Sequence, residues 1–152
     1  MKTILLGALL SIGGSLTPLC CWAKLSDVAV VTDTLDFQLR SAEACVGTGQ
    51  VNTGTLGAHT NRPGWTITAI DMVAVVDGRE VPPPIDLYSN TAGVTSVHAG
   101  GTSATFASGV RDTIEAALDD GGRHAFAARI TVHMKDDQGD AQAESFTTSI
   151  GT

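Results

Sequence analysis

Histidine, cysteine and clustered carboxylates are the side chains able to bind metals or move protons, and their spacing decides whether they do. The four histidines are His59, His98, His124 and His133. A zinc site gathers three or four ligands, usually at short fixed spacings. Here His59 and His98 fall in unrelated Gly/Thr-rich stretches, and His124 and His133 lie on one expected strand at positions of opposite parity, hence on opposite faces. The reading is surface histidine and no zinc site. Asp136, Asp137 and Asp140 crowd three carboxylates around Gly139. Calcium takes about six to eight oxygens, and this segment lacks both the D-x-D-x-D-G order and a distal bidentate glutamate. The same residues are ordinary chemistry for an exposed tight turn, which is the reading adopted, with calcium at Asp136/Asp137/Asp140 left open.

Nucleophiles are equally unsupported by their surroundings. Gly100-Gly101-Thr102-Ser103 is not the G-x-S-x-G elbow of a serine hydrolase. Cys45 sits between Ala44 and Val46, with no basic residue adjacent to stabilise a thiolate. It reads as a small buried apolar residue, in a monomer, with a Cys45-linked homodimer as the alternative. No glycine-rich loop opens a helix to cradle phosphate. No catalytic residue, metal ligand or cofactor is therefore assigned, and the binding residues are left unidentified.

The elements that would position any site begin after an export signal. Met1 and Lys2 give a positive start, and Thr3 to Leu16 an apolar run. That run is too short for a membrane span, which needs about 20 apolar residues. Gly13, Gly14 and Pro18 interrupt it, and Cys21-Trp22-Ala23 offers a signal-peptidase site. Residues 1–23 thus read as a cleavable signal and residues 24–152 as one domain. A lipid anchor at Cys20 is the rival, but Thr17, Pro18 and Leu19 make a poor lipidation box. The chain carries a net charge of −7, and the loss of Lys2 makes the exported form more acidic still. Such a charge disfavours nucleic acid and anionic membranes as partners.

Within 24–152 the repeated signal is alternation. Across Val28 to Arg40, Ala29, Val31, Leu35, Phe37 and Leu39 share one parity, and Asp33 on the same parity marks a bulge or a break. Residues 41–64 read as loop with one short strand near Gln50 to Leu56. Trp65 to Val76 reads as a buried strand, Asp77-Gly78 as a hairpin turn and Arg79 to Val81 as its return. Pro82, Pro83 and Pro84 are expected to end regular pairing, with a polyproline-like edge or crossing segment through Leu87 and Tyr88. Residues 89–101 read as loop and Thr102 to Ala107 as a short strand. Val110 to Leu118 fits helix or strand, and the turn cluster after it favours strand. His124 to Met134 alternates, with Phe126, Ala128, Ile130, Val132 and Met134 inward. Asp136 to Asp140 turns the chain into a last strand with Phe146 and Ile150 as core residues. About eight short strands without strand–helix alternation predict an all-β, antiparallel β-sandwich.

The segment Leu118 to Ile150 resembles the last strands of bacterial immunoglobulin-like or fibronectin-like domains: apolar strand, D-G turn, aromatic-containing strand, D-x-x-G hairpin, final strand. It lacks the paired inter-sheet cysteines of the immunoglobulin pattern. The resemblance implies an immunoglobulin-like architecture that serves adhesion, spacing or ligand binding, among which fold alone does not choose. The expected role is an exported, non-catalytic binding or structural module of the bacterial periplasm or cell exterior, with a protein or glycan ligand. The alternative is a small secreted enzyme whose site is assembled from residues distant in sequence.

Overall fold

A computed structural model describes residues 21–45, 49–100 and 103–151. The expected signal segment up to Cys20 lies outside them, as do the side chains of Cys45 and Ile150. Among the described residues are twelve strands and one helix: β1 (Cys21–Leu25), β2 (Val28–Val31), β3 (Leu35–Arg40), β4 (Glu43–Cys45), β5 (Gln50–Asn52), β6 (Thr55–Thr60), β7 (Thr66–Val76), β8 (Arg79–Val94), β9 (Ser96–Gly100), β10 (Ser103–Thr105), α1 (Ser108–Asp119), β11 (Phe126–Lys135) and β12 (Ala141–Gly151). Every strand pair is antiparallel. One sheet runs β10-β5-β4-β1-β12-β11-β7-β8 and the other β2-β3-β6-β9.

The fold is thus all-β and sandwich-like, and the alternation explains why. On β11, Ala128, Ile130, Val132 and Met134 are buried, as their parity requires. They join Ile67, Ile70 and Met72 of β7 and Leu35, Phe37, Leu39, Leu56 and Val97 of the smaller sheet in one core. Phe146 of β12 packs against that core, its ring centroid 5.2 Å from that of Phe37. The Asp77-Gly78 turn is as expected: Val76 pairs with Arg79, and φ is +53° at Asp77 and +81° at Gly78, the left-handed pair that a two-residue hairpin demands.

Five expectations are corrected. The loop expected over 41–64 holds three strands, β4, β5 and β6, and that over 89–101 holds the end of β8 and all of β9. The three prolines do not end β8. Val81 pairs with Ala74 and Ile85 with Met72, so the register shifts across Pro82–Pro84 and pairing resumes beyond them, on a strand at the sheet's edge where missing N–H donors cost least.

Residues Val110 to Leu118 are helical, not a strand. Val110 and Ile114, one turn apart, are buried against Ala74, while Ala116 and Leu118, which a strand would bury together with Ile114, are exposed. Arg111 and Glu115 form an ion pair at 3.1 Å across the same spacing. Finally, parity does not run unbroken from Val28 to Arg40. Thr32 N donates to Leu35 O at 2.7 Å, closing a turn in which Asp33 sits, so Asp33 marks the break. Beyond it Leu35, Phe37 and Leu39 point inward, but on β2 the inward residues are Val28 and Val30. Ala29 and Val31 face out, Val31 with 73% of its surface exposed.

Candidate functional site

The structure brings together one histidine and two carboxylates that are distant in sequence. His124 is not on β11; it lies in the connection between α1 and that strand. The C-cap of α1 supplies Asp120, and the β7–β8 turn supplies Asp77. Nδ1 of His124 is 2.6 Å from Asp77 Oδ2, and Nε2 is 2.7 Å from Asp120 Oδ2. Each carboxylate is also fixed by backbone: Ala125 N donates to Asp77 Oδ1 at 2.8 Å and Gly122 N to Asp120 Oδ1 at 2.7 Å. Sequence reading missed this cluster because its members meet only once α1 and the hairpin are placed. The one available signal was the Asp77-Gly78 turn, whose left-handed geometry aims the carboxylate.

A ring facing carboxylates at both nitrogens is best satisfied as the imidazolium, which donates from both. The Asp77 and Asp120 hydrogen bonds accordingly raise the His124 pKa above its ordinary 6.5. Asp77 is lowered chiefly by His124 and then by the Ala125 amide. Asp120 is lowered chiefly by the Gly122 amide and then by His124. The arrangement holds charge and fastens the end of α1 to the β7–β8 hairpin.

The pH dependence follows from these directions. The raised His124 stabilises the fold fully below the unfolded histidine pKa and loses that effect as pH rises through the folded value. The lowered Asp77 and Asp120 stabilise it above the unfolded carboxylate pKa and lose the effect as pH falls through theirs. The cluster therefore contributes most between about pH 4 and 6.5. NMR titration should place the His124 pKa above 6.5 and bring it down in Asp77→Asn. An unshifted His124 in the wild type would show that the ring does not bridge the two acids.

The other singled-out residues stay apart from this cluster. Nε2 of His133, on the outer side of β11, is 2.6 Å from Asp71 of β7. Both sit on a polar face where Arg129 pairs with Glu80 at 2.9 Å and the Thr131 and Ser145 hydroxyls lie 2.9 Å apart. His59 and His98 are exposed on β6 and β9. In the Asp136–Asp140 turn, Asp136 Oδ1 accepts from Gln138 N and Asp140 N, both at 2.9 Å, as turn chemistry requires. Among the described residues no group of three or more His, Cys, Asp or Glu side chains is placed to hold a metal ion, the Asp77–His124–Asp120 cluster included. Cys45 pairs in register with Gln50 on one side and with Cys21 on the other.

Two features remain that could hold a ligand. An apolar crevice between α1 and the larger sheet is lined by Met72, Ala74, Val75, Phe106, Ile114 and Phe126 among others, and no lining residue carries a titratable group. The second is the β2 edge, which among the described residues is hydrogen-bonded to β3 alone and presents Ala29 and Val31 to solvent. No described helix is long and apolar enough to cross a membrane. No family model, curated protein or solved structure matches the chain.

Proposed function

We propose that the protein is an exported, non-catalytic binding module of the bacterial periplasm or cell exterior, and that it engages a protein ligand along β2. The observation that carries this reading is the open edge itself. Edge strands in natural sheets are blunted by charge, proline, shortness or cover, because unpaired N–H and C=O groups recruit further strands. β8 carries Pro82–Pro84, and β10 has three residues and packs against β8. β9 ends on Gly100 and carries exposed His98. β2 reads Val-Ala-Val-Val: it is short, at four residues, and Asp27 and Asp33 flank it, but within the strand it carries neither charge nor proline, and among the described residues no further strand covers its outer side. The immunoglobulin-like reading of the C-terminal strands belongs to the same proposal, supported by the long β11–β12 hairpin that pairs Lys135 with Ala141 through Ala127 with Ser149.

Export with cleavage after Ala23 leaves Lys24 and Leu25 in register with Gly151, Ile150 and Glu43. Intact-mass analysis of the secreted protein should find a chain beginning at Lys24. Retention of residues 1–23 would overturn export. A chain that instead keeps Cys21 would overturn this cleavage point.

Binding is tested by a photo-crosslinking residue at position 29, compared with one at position 131 on the outer face of the other sheet, in the producing cell. Discrete adducts from position 29 that are absent from 131 are the expected result. Equal adducts, or none from either, would overturn binding along β2.

A further inference from the structure

We infer that the β2 edge accepts an extended polypeptide segment whose apolar centre is flanked by lysine or arginine, which adds as an antiparallel strand. The inference rests on the binding-module reading above and names the chemistry of its partner.

Backbone geometry defines the docking mode. β2 is terminal in its sheet and pairs with β3 from Val28↔Leu39 to Val31↔Asp36. In an antiparallel ladder alternate residues turn their N–H and C=O to opposite sides. The outer side of β2 therefore offers a short row of donors and acceptors to an incoming strand, as in β-augmentation. The side chains next to that row are apolar. Val31 is 73% exposed and Ala29 is exposed, while Val28 and Val30 are turned toward the core. An incoming strand with β-branched residues on the matching parity would cover Ala29 and Val31.

Charge selects among the strands able to do this. Between Lys24 and Arg40 the chain carries Asp27, Asp33 and Asp36 and no basic residue. Asp27 and Asp33 bracket β2 and are exposed, and Asp36 lies opposite Val31 on β3. Glu144 adds a fourth carboxylate at the turn end, where its Oε2 accepts from Thr32 Oγ1 at 3.3 Å. A second copy of the chain is a poor occupant. Antiparallel self-pairing about the centre of β2 brings Asp27 of one copy beside the Asp33 end of the other, at both ends, between molecules of the same net negative charge. A segment with basic flanks reverses the sign of that interaction. It also gains from long-range attraction to the acidic domain.

The test is an amide NMR titration of the mature protein with a short synthetic peptide of alternating valine and threonine carrying lysines at both ends. Two controls have the same centre, one flanked by glutamates and one interrupted by proline. Shifts confined to β2 and β3, with slowed amide exchange at β2, are the expected result. Binding should weaken with added salt and fall by about tenfold or more in Val31→Lys, which sets like charge against the peptide. Because Val31 is exposed, that variant should keep the wild-type spectrum elsewhere. Equal binding of the glutamate-flanked peptide, or no shift at β2 with the lysine-flanked one, would overturn the inference. So would concentration-dependent shifts at β2 without peptide, which would make a second copy the occupant. Position-29 crosslinks in the cell alongside a failed peptide would refute only the partner's charge, whereas failure of both would refute the binding module itself.

Discussion

Replacing Phe37 with alanine is expected to destabilise the protein by about 3–5 kcal/mol, the range for removing a large aromatic ring from a packed core. The residue is 1% exposed on β3, the strand of the smaller sheet that also buries Leu35 and Leu39. Its ring meets Phe146 of the larger sheet at a 30° tilt. The substitution therefore removes apolar area from water, leaves a cavity and breaks an aromatic contact between the two sheets at once. Against the 5–15 kcal/mol typical of a whole domain (order of magnitude), this is a large share. Urea unfolding should show the midpoint falling by about 1 M or more. Val31→Ala, on the exposed face of the neighbouring strand, should stay within about 0.5 kcal/mol of wild type. A loss below about 1 kcal/mol in Phe37→Ala would mean that the two sheets do not close on one core.

Gly93→Ala is expected to be the next most damaging of these changes. Between Ser89, opposite Ala69, and Val94, opposite Ile67, β8 carries more residues than its partner strand, and Gly93 turns the chain back with φ of +85°. A side chain here is opposed twice. A left-handed backbone costs a non-glycine residue about 1–2 kcal/mol. In addition, an added Cβ would stand 2.8 Å from the Cβ of Thr66, which is fixed to the backbone of β7 and has no rotamer to escape into. Overpacking of this kind adds about 1–3 kcal/mol. Gly139→Ala separates the two effects. Gly139 has nearly the same φ, +86°, and an added Cβ there meets nothing within 4 Å. It should show the backbone cost alone, and the difference between the two variants measures the clash. Equal losses would show that β8 yields around Thr66 at no cost.

Much of the architecture was legible in the chain because strand periodicity is local. Side chains alternate every residue, so Phe126 to Met134 announced both their strand and their inward face. Asp77-Gly78 announced its turn, since few other pairs tolerate two left-handed residues in succession. Where reading failed, a neighbour distant in sequence decided. Val110 to Leu118 satisfies both periods, and what made it a helix is that Val110 and Ile114 find Ala74, on a strand more than thirty residues earlier. Pro82–Pro84 pointed to an edge or a crossing segment, but that β8 is the edge strand and resumes pairing with β7 at Ile85 is a fact of sheet order that no local window contains.

The sequence by itself determined the acidic balance, the antiparallel all-β class and the burial pattern of β11, each a property of composition or of residues a few positions apart. Tertiary structure alone decided the histidine cluster and the edge on which function is argued. The Asp77–His124–Asp120 cluster exists because α1 ends beside the β7–β8 turn, which sets three polar groups within hydrogen-bond reach across forty-seven positions. The β2 edge exists because the Thr32–Leu35 turn breaks the parity of an apolar stretch and the smaller sheet stops at β2. Counted in sequence, Val31 falls in step with Phe37 and belongs to the core. Folded, it stands across the ladder from Asp36 and faces solvent, because parity holds only within a continuous strand.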